Sequence, residues 1–95
     1  MVVGVLRIEV FIPQSRNLKE KRSVTRSLLG RCRNRWPVSA AETGLHDLWQ
    51  RAEFGIAIVT GDEGQAHTVL QNVVADMEGS GLAQVCRQDM ELLHY

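Results

Sequence analysis

Val2-Val3-Gly4-Val5-Leu6-Arg7-Ile8-Glu9-Val10-Phe11-Ile12 alternates along its length, with Val2, Gly4, Leu6, Ile8, Val10 and Ile12 on one side and Arg7 and Glu9 on the other. A side-chain period of two marks a strand with one buried face. Pro13 ends it, because proline has no amide to give to a sheet ladder. Asn17, followed three residues later by Glu20, has the form of a capping box and predicts a helix running to about Arg35. Leu18, Val24, Thr25, Leu28, Leu29 and Cys32 then fall within an arc of about 140° and define its buried stripe. Pro37 stops the helix.

Further along, Val38 to Gly44 reads as a short strand and Gly44 to Asp47 as loop. Arg51 to Thr60 is a stronger strand, with Phe54, Ile56 and Ile58 on one side and Gly55, Ala57 and Val59 on the other. Gly61 and Asp62 mark a turn, and Asp62 and Glu63 sit where a helix start favours anions. The second helix buries Ala66, Val69, Leu70, Val73, Val74 and Met77 before Gly79 and Gly81 end it. A last strand, about Ala83 to Leu93, is expected to bring Cys86, Met90 and Leu92 to one face.

The order βαββαβ predicts an α+β fold over residues 1–95, a single ferredoxin-like sandwich with two helices on one face of a four-stranded antiparallel sheet. The other face is left open. It is expected to present Val3, Val5 and Phe11 from the first strand and Ala57 and Val59 from the third, interrupted by Arg7 and Glu9. Such an apolar patch calls for a partner, and a sheet-to-sheet homodimer is the simplest one.

The formal net charge of zero conceals a lopsided molecule. Eight of the eleven Lys and Arg residues lie between Arg16 and Arg35, where Glu20 is the only acid, leaving about +7. From Thr60 onward Arg87 alone faces Asp62, Glu63, Asp76, Glu78, Asp89 and Glu91, about −5. On a helical wheel Lys19, Arg22, Arg26 and Arg33 lie within about 60° of one another, and Arg31 and Arg35 take the opposite flank. This ridge reads either as a solvated helix face or as a binding surface. The scarcity of acids at i,i+4 spacing favours binding, with Arg16 in the preceding loop joining the set. Nucleic acid, bound through its backbone, is then the leading partner class, and an acidic protein surface the alternative. Lys21 falls inside the apolar stripe and is expected to lay its stem on the core edge with the ammonium turned outward.

Catalysis has little to stand on. The Gln14 to Asn17 loop, with Arg16, is able to hold a phosphate at a helix start, as an acylphosphatase-type enzyme of this fold class would, but capping is the stronger reading of Ser15 and Asn17. His46-Asp47-Leu48-Trp49-Gln50-Arg51 is dense in functional side chains without a nucleophile at any recognised spacing. Trp49 is expected to pack on the domain or a dimer partner, Asp47 or His46 to fix the loop, and Arg51 to pair with Glu42 or Glu53. His67 and His94 read as surface residues, and no metal set, P-loop or GxGxxG is present, so neither metal nor cofactor is expected. Cys32 and Cys86 read as reduced packing thiols. The apolar run Met1 to Leu6 falls well short of the ~20 residues that span a bilayer and has no basic leader, so a cytoplasmic protein with no membrane attachment is expected. Base stacking on the open sheet is not expected, since Phe11 lies near a strand end and Phe54 points to the core.

Leu18-Lys19-Glu20-Lys21-Arg22, Asn34-Arg35-Trp36, Val38-Ser39 with Ala41-Glu42, and Asp47-Leu48-Trp49-Gln50-Arg51-Ala52 before Gly55-Ile56-Ala57 resemble the YlxP-like family of small bacterial proteins of unknown function. The resemblance covers nearly the whole chain and implies a ferredoxin-like fold, often dimeric, in a bacterial cytoplasm. It also implies a link to RNA or ribosome biology, because genes of that family often neighbour those for transcription antitermination, translation initiation and ribosome maturation. No catalytic residue comes with it. Lys19, Glu20, Lys21, Arg22, Asp47, Trp49, Gln50 and Arg51 match its motifs and stand as residues of unknown role.

Overall fold

The computed structural model describes residues 1–95. The alternating first segment becomes β1 (Val2–Phe11), which with the third strand occupies the centre of a sheet ordered β2-β3-β1-β4. β2 is Ser39–Gly44, β3 is Arg51–Thr60 and β4 is Gln84–His94. β1 pairs antiparallel with β3 and β4, and β2 antiparallel with β3. The strands joined through α1 (Leu18–Arg35) and through α2 (Glu63–Glu78) are therefore parallel, and the two crossovers interleave as the ferredoxin-like fold requires. Neither helix is long and apolar enough to cross a membrane.

The core lies between the helices and one sheet face. Leu6, Ile8 and Val10 of β1, Phe54, Ile56 and Ile58 of β3, and Ala66, Val69, Leu70, Val73, Val74 and Met77 of α2 are buried together. Burying each large aliphatic or aromatic side chain contributes roughly 1.5–3 kcal/mol before chain entropy is set against it. Gly4 sets how closely α2 approaches, since a Cβ there would lie 3.0 Å from both Ile58 Cγ2 and Leu70 Cδ1. α1 buries Lys21, Thr25, Leu28, Leu29 and Cys32, whereas Leu18, in the first turn, is exposed and Lys21 takes a place on the buried side instead. The Glu20 N–H donates to Asn17 Oδ1 at 2.9 Å as expected, but the Glu20 carboxylate accepts from the Arg16 N–H at 2.7 Å, one residue before the cap. At the other end, Trp36 Nε1–H donates to Asp76 Oδ2 at 2.7 Å and Arg35 lies 3.5 Å from the same oxygen, fastening α1 to α2.

The last strand departs from the expected alternation. Glu9 faces Arg87 and Val10 faces Val85, so Cys86 is an extra residue in a bulge. A bulge reverses side-chain parity: Val85 packs on the core before it, and Met90 and Leu92 after it, while Cys86 is exposed. The packing role expected of Cys86 is therefore wrong. Cys32 is buried, and that burial raises its thiol pKa, against a lowering by Arg33 and with a further rise from Asp76. A thiol-specific reagent is expected to titrate Cys86 quickly in the native protein and Cys32 only at the rate of unfolding. Rapid native labelling of both would contradict the packing around Cys32.

Candidate functional site

The two segments rich in functional side chains meet at one end of the sheet, and two side chains tie them together. Lys21, 2% exposed, does not turn its ammonium outward. Its Nζ donates to the Leu45 carbonyl at 2.7 Å and to that of His46 at 3.4 Å. Leu45 has φ 58°, a left-handed conformation that costs a non-glycine residue roughly 1–2 kcal/mol. Lys21 captures the carbonyl of that strained residue. Glu42 Oε2 lies 3.1 Å from the same Nζ as an ion pair, yet it has no hydrogen bond of its own. The carboxylate is thus held by charge, while the directed bonds go to the loop.

Gln50 works in the opposite direction. Its Nε2 donates to the carbonyls of Ser15 at 3.2 Å and Pro13 at 3.4 Å, and its own carbonyl accepts from the Ile12 N–H at 2.7 Å. The expectations of packing on the domain, of a loop fixed by His46 or Asp47, and of an Arg51 ion pair are corrected. Trp49 is 54% exposed and Leu48 44%, so neither packs on the domain. The side chains of His46 and Asp47 fix nothing: the loop is held through main-chain carbonyls by residues distant in sequence. Arg51 has no carboxylate partner, because Glu42 faces Lys21, and Glu53 accepts from Thr43 at 2.9 Å with Arg7 at 3.9 Å.

The basic ridge lies over the β2 side of the sheet, and its members differ. Arg33 Nε donates to the Ala40 carbonyl at 3.1 Å, and its Nη2 makes a short bond to the same oxygen. Arg33 is therefore a clasp on edge strand β2. Arg16, Lys19, Arg22 and Arg26 are exposed, and none makes an ion pair or side-chain hydrogen bond within the fold. Arg16 also borders an open concavity of about 800 Å³ shared with Pro13, Ser15, Glu20, Trp49 and Gln50. The loop before α1 makes a poor phosphate cradle, because the Glu20 carboxylate already takes the Arg16 amide. No cluster of three or more metal-ligating side chains forms.

On the open sheet face, Val3 pairs with Val59 and Leu93, and Val5 with Ala57 and Glu91. Phe11 is not part of that patch. It stands about 20 Å from Val5, beyond the ranks of Arg7 and Glu9, beside Arg51 and Gln84. A shallow hollow of about 520 Å³ crosses the face, with Val5, Gly55 and Ala57 among its lining.

Lys21→Met, which strands the Glu42 charge and the Leu45 carbonyl, is expected to cost about 3 kcal/mol in urea unfolding. Combining it with Glu42→Gln is expected to recover part of the loss. Gln50→Ala should cost about 1 kcal/mol and Lys19→Ala within about 0.5 kcal/mol. Equal effects at Lys19 and Lys21 would contradict the described burial.

Among solved structures, a de novo designed protein with ferredoxin fold, LFR1 1, is similar at TM-score 0.61 and 10% identity, covering 100% of this chain and 88% of that one. The de novo designed protein Foldit4 is similar at TM-score 0.53 and 11% identity, covering 99% and 97%. Both likenesses concern the fold alone. The "Uncharacterized protein YlxP" of Bacillus subtilis (strain 168) is 40% identical over 74 residues, covering 78% of this chain and 80% of the relative. Residues 3–90 match the family described as "Protein of unknown function (DUF503)". With nearly its whole length matched, and both motif segments inside the match, the chain belongs to the DUF503 family.

Proposed function

We propose that this chain is a non-enzymatic accessory protein of the cytoplasm that holds RNA or a ribonucleoprotein surface through the basic flank of α1, and that it works as a homodimer. The observation behind this reading is unused charge: Arg16, Lys19, Arg22 and Arg26 follow one another along a flank without an internal partner. Beside them the outermost positions of the helix are Ser23, Ser27 and Gly30, small and uncharged, so a backbone can approach closely. Four neutralised phosphates on a single strand imply a salt slope of about −3.

The homodimer reading draws on the open face, where Val3, Val5, Ala57, Val59 and Leu93 adjoin rows of alternating charge, Arg7 with Asp89 and Glu9 with Arg87. A two-fold axis is able to set such rows against each other with opposite signs. An acidic protein partner for the helix is the competing reading, and the exposed Leu48 favours it.

Arg22→Glu with Arg26→Glu is expected to lower retention of RNA or ribosomes at low salt by about tenfold or more, without moving the unfolding midpoint. Unchanged retention would refute the ridge as the contact surface, and retention that survives nuclease would point to protein instead. Val59→Asp, at a position 66% exposed, is expected to shift sedimentation from dimer to monomer. A wild-type protein that sediments as a monomer at micromolar concentration would refute the dimer.

A further inference from the structure

Trp49 is the largest apolar side chain the fold leaves outside, and it stands on a loop whose main chain is fixed from both ends. Lys21 holds the carbonyls of Leu45 and His46, Gln50 holds those of Pro13 and Ser15, and the Leu48 N–H donates to the Leu45 carbonyl at 3.1 Å. The indole is therefore displayed by a rigid frame, and a ligand that covers it has little loop to order. It lines the same concavity as Arg16, whose guanidinium has no partner. Glu20, the one acid there, is occupied by the Arg16 amide.

An aromatic face next to unpaired cations suits a ligand with flat rings and phosphates in alternation. A polyphosphate or duplex backbone meets only the cations, and an acidic peptide has no ring for the indole unless its sequence supplies one. We infer that Trp49 stacks on an unpaired base of single-stranded RNA while Arg16 pairs with an adjacent phosphate. This rests on the polyanion reading of α1 and deepens it: the preferred ligand is a loop or single strand, held by stacking with little base specificity.

The test compares a fluorescent oligouridylate of about ten nucleotides with inorganic polyphosphate, using the full chain and the variants Trp49→Leu, Trp49→Phe and Arg16→Ala. Oligouridylate is expected to quench tryptophan emission, and polyphosphate to bind without quenching. Trp49→Leu should weaken oligouridylate binding about tenfold and leave polyphosphate unchanged, Trp49→Phe should restore most of it, and Arg16→Ala should weaken both ligands. The exposure of Trp49 means that all three variants should melt as wild type does. If Trp49→Leu leaves oligouridylate affinity unchanged while Arg22→Glu with Arg26→Glu abolishes it, the stacking inference fails and the ridge reading survives. Absence of any oligouridylate binding overturns the stacking inference, and absence of polyphosphate binding as well overturns the ridge reading; crosslinking through Trp49 to a protein in the presence of nuclease overturns the stacking inference.

Discussion

The buried ammonium of Lys21 is the contact on which the end of the molecule depends. It enters from the first turns of α1, meets Glu42 of edge strand β2 at 3.1 Å and donates to two carbonyls of the β2–β3 loop. A buried charge is expensive unless several partners share it, and here three do. An apolar residue of similar length would fill the space, yet it would give the left-handed Leu45 no donor for its carbonyl and leave the Glu42 carboxylate alone. The position of α1 over β2, the path of the loop and the display of Trp49 follow from that one group.

The basic residues of α1 therefore divide by what the fold already asks of them. Lys21 is internal, Arg33 satisfies a carbonyl on the edge strand, and Arg35 pairs with Asp76 beside the Trp36 ring, 5.5 Å from its centroid. Clasping an edge strand has its own purpose, because an open row of amides and carbonyls invites pairing with another chain. The cations left over are Lys19, Arg22 and Arg26 in the first half of the helix and Arg31 in the second. A uniform basic segment in the sequence becomes, in the folded chain, a structural set and an idle set.

The sheet imposes a second division. Its covered face is continuous and apolar, and its open face is apolar only at the end where Val3 and Val5 lie against Val59 and Ala57. Arg7 and Glu9 interrupt it and separate Phe11. Helix ridge and open face lie on opposite sides of the sheet, so occupancy of one does not obstruct the other.

The element order, the helix caps, the core faces of β1, β3 and α2, and the resulting ferredoxin-like topology were legible in the sequence, because each rests on local chemistry: alternation at period two, a stripe at period 3.6, Pro and Gly at the breaks. The bulge at Cys86 was not, since an extra residue is defined only against the strand it faces, and alternation counted along one strand slips past it. Lys21 carried a signal, a lysine within an apolar stripe, but its partners are 21 to 25 residues away and only the packing of α1 on β2 brings them near. Gln50 carried none. Likewise Arg33 and Arg22 are equivalent on a helical wheel, and a carbonyl of β2 makes one structural and leaves the other free. Sequence by itself determined which elements form and where positive charge concentrates; tertiary structure alone decided which charges are consumed, because hydrogen-bond partners distant in the chain exist only once the strands are paired.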